Sequence, residues 1–214
     1  MKDRSALAQL GVVIYDGTEP IDIGGTIGVV SMAARLLPGL TAVTIAAQPG
    51  PVRLAGGLTV LAQHGFPDAP PCDVFIVCGG PAWRDQSQNP TMMAFLRSRP
   101  PAQVASVCTG ALILAAAGLL DGLPATTRRR TVGTEEQAPL QLLATLGTGV
   151  HPCEALLVDA GTVTGGGVSL AIDTTLYLIG RLYGPAARDD VAGIIEYDRA
   201  WAANRKALGI VTPA

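Results

Sequence analysis

The stretch Ala105-Ser106-Val107-Cys108-Thr109-Gly110-Ala111-Leu112 decides how the rest of this 214-residue chain is read. An apolar strand, Gln103–Val107, runs directly into Cys108, and Gly110 opens an Ala- and Leu-rich helical run that ends at Gly118. Strand, sharp turn and helix within so few residues put Cys108 at the apex of a nucleophile elbow. Small neighbours let the backbone turn there, since glycine adopts positive φ without steric penalty. A sulfur over a helix N-terminus meets unpaired N–H groups and the positive end of the dipole, which favour a thiolate. The competing reading is a buried structural cysteine, the usual fate of a free thiol.

Outward from the elbow, strand and helix patterns alternate. Leu10–Tyr15 is a continuous apolar run stopped by Asp16-Gly17, as in a strand buried on both faces. Ile21–Leu37 carries apolar residues at helical spacing and ends at Pro38-Gly39. Leu40–Ala47 is a second strand, and Val52–Leu54 with Gly57–Ala62 forms a hairpin through Ala55-Gly56. Asp73–Cys78 is a buried strand entering Gly79-Gly80-Pro81, and Thr91–Arg99 is a short helix. Past the elbow, Glu135–Leu146 reads as a helix with Pro139 near its start. Ala155–Asp159 and Thr162–Thr164 read as a hairpin, Ser169–Tyr183 as an apolar helix, and Pro185 begins one last helix. Such alternation predicts one α/β domain over residues 1–214, a mainly parallel sheet covered on both faces. Ligands then bind at the carboxyl ends of the strands.

Composition narrows the function classes. With 49% hydrophobic and 15% charged residues the chain can fill a large core, and a net charge of -2 offers no nucleic-acid or membrane surface. Cys72, Cys78, Cys108 and Cys153 form no C-x-x-C pair, so no zinc site or other cofactor is expected. Reduced cysteines and an apolar maximum too short to span a bilayer place the protein in the cytoplasm.

Loops following successive parallel strands gather at one sheet edge, which brings three groups together. The loop after the first strand offers Glu19 and Asp22, the second Gly79 and Gly80, and the third Cys108 and Thr109. They amount to an acid, backbone donors and a nucleophile, the requirements for thiol addition to an electrophilic carbon. The Gly80 and Thr109 N–H groups are candidates to stabilise a developing anion. The plainer alternative is that the glycines only make a turn and Asp22 only caps a helix.

Five stretches carry a resemblance: V-V-I-Y-D-G-T-E-P-I-D-I-G-G (12–25), D-V-F-I-V-C-G-G (73–80), S-V-C-T-G-A-L-I-L-A-A-A-G-L-L-D-G (106–122), A-T-T (125–127) and V-D-A-G-T-V-T-G-G-G-V-S-L-A-I-D (158–173). They cover most of Leu10–Tyr183, in order. The chain resembles the ThiJ/PfpI superfamily, the flavodoxin-like relatives of class I glutamine amidotransferases. Within it, C-T-G at the elbow is similar to the isonitrile hydratases and to the amidase-like domain of AraC-type regulators. The resemblance implies a flavodoxin-like three-layer sandwich, a homodimer and a small-molecule substrate. It further implies Cys108 as nucleophile, Thr109 beside it, and Asp22 as the acid, which together add water to R–N≡C to give an N-substituted formamide. About thirty residues follow Tyr183, too few for a helix-turn-helix domain, so a stand-alone form is expected.

The pattern departs after the elbow helix. Many relatives read A-T-T-H, whereas Arg128 stands at the last position here, followed by Arg129 and Arg130. Arg128 either lowers the thiol pKa or binds an anionic substrate group, against the plainer reading of a solvated arginine run. His64 and His151 are read as structural, and Cys78 as core or a second site thiol. Asp173 is expected to bond to the Gly165–Gly167 loop or near Asp22. Gly79, Trp83 and Arg128 are expected to line the substrate pocket, with Arg84 at its mouth. A glyoxalase-, deglycase- or amidase-type enzyme remains open, as does a non-catalytic small-molecule or redox sensor in which Cys108 oxidises.

Overall fold

The computed structural model describes residues 1–213. Eight strands form one sheet: β1 (Ala8–Val13), β2 (Leu40–Ala46), β5 (His64–Gly65), β6 (Val74–Val77), β7 (Val104–Ser106), β10 (Leu157–Ala160), β11 (Thr162–Gly165) and β12 (Ile210–Val211). Their order across the sheet is β12-β10-β11-β7-β6-β1-β2-β5. Every pair is parallel except the β10–β11 hairpin, which turns at Gly161 with φ +94°. β3 (Gly50–Arg53) and β4 (Thr59–Ala62) form the separate hairpin, and β8 (Pro124–Ala125) pairs with β9 (His151–Pro152).

Side-chain alternation explains the three layers. Along β1 and just past it, Leu10, Val12 and Ile14 enter one core, while Val13 and Tyr15 enter the other. β6 repeats this, with Val74, Ile76 and Cys78 on one side and Phe75 and Val77 on the other. A period of two with both faces apolar needs helices above and below the sheet. The first core is closed by a helical run α1 (Pro20–Ile23, Gly24–Gly28, Val29–Ala33) with α6 (Ala171–Tyr183), α7 (Pro185–Ile194) and α8 (Asp198–Leu208). The second is closed by α2 (Trp83–Gln88), α3 (Pro90–Arg97), α4 (Gly110–Ala116) and α5 (Pro139–Leu146). This is the flavodoxin-like α/β architecture.

Several boundaries differ from the sequence reading. In α1 the middle turn, Gly24–Gly28, is π-helical. There Gly25 lies so close to α6 that a Cβ would sit 2.7 Å from that of Ala171. The helix expected over Glu135–Leu146 starts only at Pro139, because a proline fits the first helical position and not the interior. Residues 128–138 are irregular and pass over the carboxyl edge of the sheet. The single last helix is two, broken at Ile195–Tyr197 with Glu196 at φ +54°, and β12 then adds to β10. Among the described residues, no helix is long and apolar enough to cross a membrane.

Candidate active site

β7 lies between β6 and β11 and ends where Cys108 begins to turn. Cys108 has φ +51°, a left-handed conformation that costs an L-residue about 1–2 kcal/mol. Bonds from distant segments hold it. Its N–H donates to the Gly166 carbonyl (3.0 Å), and its own carbonyl accepts from the Thr127 hydroxyl (2.6 Å). Below it, Gly110 packs directly on β6: a Cβ there would lie 2.1 Å from the Val77 carbonyl oxygen. The elbow therefore rests on β6 and on the segments that follow β8 and β11 as well as on its own small residues.

Asp22, in the first turn of α1, is completely buried. Its Oδ2 accepts the Gly79 N–H at 2.7 Å, and its Oδ1 has no partner. Burial raises its pKa from an ordinary 3.8 to about 7; the Gly79 bond and Arg128 pull down, and Glu19 pushes up. Gly79 joins the acid to the thiol, since a Cβ on it would be 2.9 Å from the Cys108 Cβ. No hydrogen bond joins Asp22 to Cys108 directly.

Three details correct the sequence reading. Gly79 is not among the residues that line the cleft: its N–H is bound by Asp22, and its carbonyl accepts from the Glu19 N–H at 2.9 Å. Gly80 reaches the cleft, but its N–H donates to Thr109 Oγ1 (2.9 Å) rather than standing free for an anion. Thr109 Oγ1 returns a bond to the Gly80 carbonyl (3.3 Å), so this hydroxyl locks two loops together. The thiol is not held low either. Burial first and the Asp22 carboxylate second push Cys108 up to about 12, while the Val168 and Thr109 N–H groups and Arg128 pull it down.

Val168 escaped the sequence reading. It follows Gly165-Gly166-Gly167 and has φ +58°, a strained state for a β-branched residue, and it directs its N–H at the Cys108 sulfur. The glycine run signals a special backbone, but nothing in it indicates which N–H meets the thiol.

The sulfur opens onto a cleft of about 830 Å³ whose walls include Trp83, Arg84, Arg128, Glu135, Leu142 and Val168. Cys108 itself is only 4% exposed. Arg84 lies over the Trp83 ring, 4.3 Å from its centroid. The arginine run splits: Arg129 and Arg130 are exposed, Arg129 pairing with Glu154 at 2.8 Å, whereas the Arg128 side chain is only 12% exposed and pairs with Glu135. Neither His64 nor His151 lines the cleft. Cys78 is fully buried in the core. Asp173 meets neither partner expected of it and instead accepts from Tyr197 (2.9 Å) and Asn204 (3.1 Å), tying α6 to α8. Among the described residues, no group of three or more His, Cys, Asp or Glu side chains is placed to hold a metal ion.

Comparison with known proteins adds to this geometry. The model of the DJ-1/PfpI family matches residues 9–179. Isonitrile hydratase of Pseudomonas putida is 31% identical over 191 residues, 88% of this chain and 78% of that protein. The HTH-type transcriptional regulator GbdR of Pseudomonas aeruginosa is 28% identical over 145 residues, 67% of this chain but 37% of the regulator. Among solved structures, a ThiJ/PfpI family protein from Pseudomonas syringae superposes with a TM-score of 0.76 at 28% identity, covering 91% of this chain and 76% of that one. Drosophila melanogaster DJ-1beta shares the fold at a TM-score of 0.73 and 16% identity, covering 89% and 98%.

Proposed function

Because the chain belongs to the DJ-1/PfpI family, we propose that it is an isonitrile hydratase-like enzyme that converts R–N≡C and water to an N-substituted formamide. The observation that carries this reading is the buried Asp22 carboxyl, one oxygen held by Gly79 and the other unpartnered beside the nucleophile elbow. A group with a pKa about 7 is present in both forms at neutral pH, which suits it to give and take protons. In the proposed sequence the Asp22 carboxylate takes the Cys108 S–H proton, the thiolate sulfur bonds to the terminal carbon, and Asp22 passes that proton on to the same carbon. The product is the thioimidate R–N=CH–S, with Asp22 left as carboxylate. The carboxylate then takes a proton from water as the oxygen adds to the carbon, and hands that proton to the nitrogen. Collapse of R–NH–CH(OH)–S breaks the C–S bond, releasing the formamide and the Cys108 thiol. The Val168 and Thr109 N–H groups steady the sulfur when it carries charge. A homodimer belongs to the same proposal, and sedimentation equilibrium tests it.

Incubation with cyclohexyl or aryl isonitriles tests the activity. Formamide accumulating in proportion to enzyme supports the proposal, and its absence across several R groups defeats it. Asp22→Asn is expected to lower turnover about 10²–10⁴-fold, the usual share of a general acid–base. Its stability changes in the opposite sense. The native state binds the Asp22 proton more tightly than the unfolded chain, so wild-type stability falls as pH rises from about 4 to about 7. Across that window the loss is on the order of 4 kcal/mol, at 1.36 kcal/mol for each tenfold difference in proton affinity. D22N lacks this slope, and its urea midpoint gains on wild type between pH 5 and pH 8.

The second reading is a sensor in which Cys108 binds or oxidises without turnover. Its support is the likeness to a transcriptional regulator, GbdR, over 145 residues at 28% identity. Sulfenylation of Cys108 at low peroxide, with no formamide from any isonitrile, identifies it.

A further inference from the structure

Among the described residues, no imidazole lines the cleft and its two cations are Arg84 and Arg128. Arg84 is exposed and stacked on Trp83. Arg128 is held far more firmly. It follows Thr127, whose hydroxyl is bonded to the Cys108 carbonyl, and its own carbonyl accepts from the Leu140 N–H. Its stem lies on Gly167, where a Cβ would come within 2.6 Å of the arginine's Cβ and Cγ. One guanidinium nitrogen donates to Glu135 and another to the Arg130 carbonyl. These bonds fix the guanidinium in the wall of the cleft that Cys108 also lines.

We infer that Arg128 is the cationic partner of the Cys108 sulfur, held against it by Glu135, and that it supplies the positive charge a histidine would otherwise bring to this cleft. The inference deepens the proposed reading, resting on it for the thiolate as the reacting species. Every charged or titratable group that meets the thiol enters the balance. Tyr15 after β1, Asp22 in α1 and Cys78 after β6 lie beneath it. Glu19, Arg84, Arg128, Glu135 and Glu136 line the cleft above it. Ionised Asp22 opposes the thiolate from below, so a fixed cation on the other side offsets a load that two backbone N–H groups alone carry poorly. Arginine suits the task, since its guanidinium stays protonated even when partly buried. Glu135 acts in two ways: it positions the guanidinium and partly cancels its charge.

That dual role makes the test sharp, because the two partners shift Cys108 in opposite directions. Thiolate formation is followed by ultraviolet absorbance and by iodoacetamide alkylation across pH, with Cys108→Ala protein as the baseline for the other three cysteines. Arg128→Gln is expected to slow alkylation at neutral pH about tenfold or more, a thiol pKa higher by one being a factor of ten. Arg128→Lys recovers at least half of the loss on a logarithmic scale, and Glu135→Gln alkylates faster than wild type. An R128Q rate within about twofold of wild type, well short of that factor of ten, overturns the inference. So does R128K as slow as R128Q, or E135Q slowed as much as R128Q, which would assign the pair to loop packing alone. No isonitrile enters these measurements. A negative result here therefore leaves the formamide assay to decide the proposed activity, and a protein without that activity can still show the predicted thiol shifts.

Discussion

Cys108→Ala is expected to reduce formamide production by about 10⁴-fold or more, the scale seen when a covalent nucleophile is removed. The bond to the isonitrile carbon has no other source in the site. Thr109 Oγ1 is engaged with Gly80 in both directions, and Cys78 is sealed in the core. Stability moves little, because alanine fills most of the small buried volume and suffers the same left-handed backbone, φ +51°. Cys108→Gly separates the two effects. It is equally inactive, yet relief of the left-handed strain stabilises it relative to C108A by about 1 kcal/mol. Formamide assays beside urea titrations of the three proteins check both halves. A C108A protein with more than a few per cent of wild-type turnover would end the thioimidate mechanism.

Gly110→Ala is expected to be one of the most destabilising single methyl additions near the site. The new Cβ would lie 2.1 Å from the Val77 carbonyl oxygen and 3.1 Å from that of Cys78. Both are backbone atoms of β6 and its end, so no side chain can swing aside. Relief requires α4 to lift away from the sheet, which opens the second core around Leu112 and Ile113. Overpacking of this kind costs about 3 kcal/mol, and for a chain of this size that lowers Tm by roughly 6–12 °C. Activity falls with it, since the same shift carries Cys108 away from the Val168 N–H. Thermal unfolding followed by circular dichroism measures the effect, and a Tm within about 2 °C of wild type, under 1 kcal/mol, contradicts the packing argument.

Legibility from the sequence followed the range of the interaction. The elbow was readable because strand, Cys108 and Gly110 are neighbours, and the same sterics that demand glycine at Gly110 appear in its fold contacts. The sheet was readable because alternation along Leu10–Tyr15 and Asp73–Cys78 is a property of each strand alone. The helix starting at Pro139 and the break at Ile195–Tyr197 were missed by a few residues, where proline and a positive φ override apolar spacing.

The sequence by itself therefore determined the α/β layering, the elbow, and the meeting of Asp22, Gly79, Gly80, Cys108 and Thr109 at one sheet edge. Only the tertiary structure decided how those groups are spent. It gave the Gly79 N–H to Asp22 and the Gly80 N–H to Thr109, and it turned the strained Val168 toward the sulfur. It also separated Arg128, tied to Glu135 inside the cleft, from the exposed Arg129 and Arg130. Backbone preference and side-chain period are set by a few adjacent residues. Hydrogen-bond ownership, and the sign of a pKa shift such as that of Cys108, depend on burial and on charges brought from dozens of residues away.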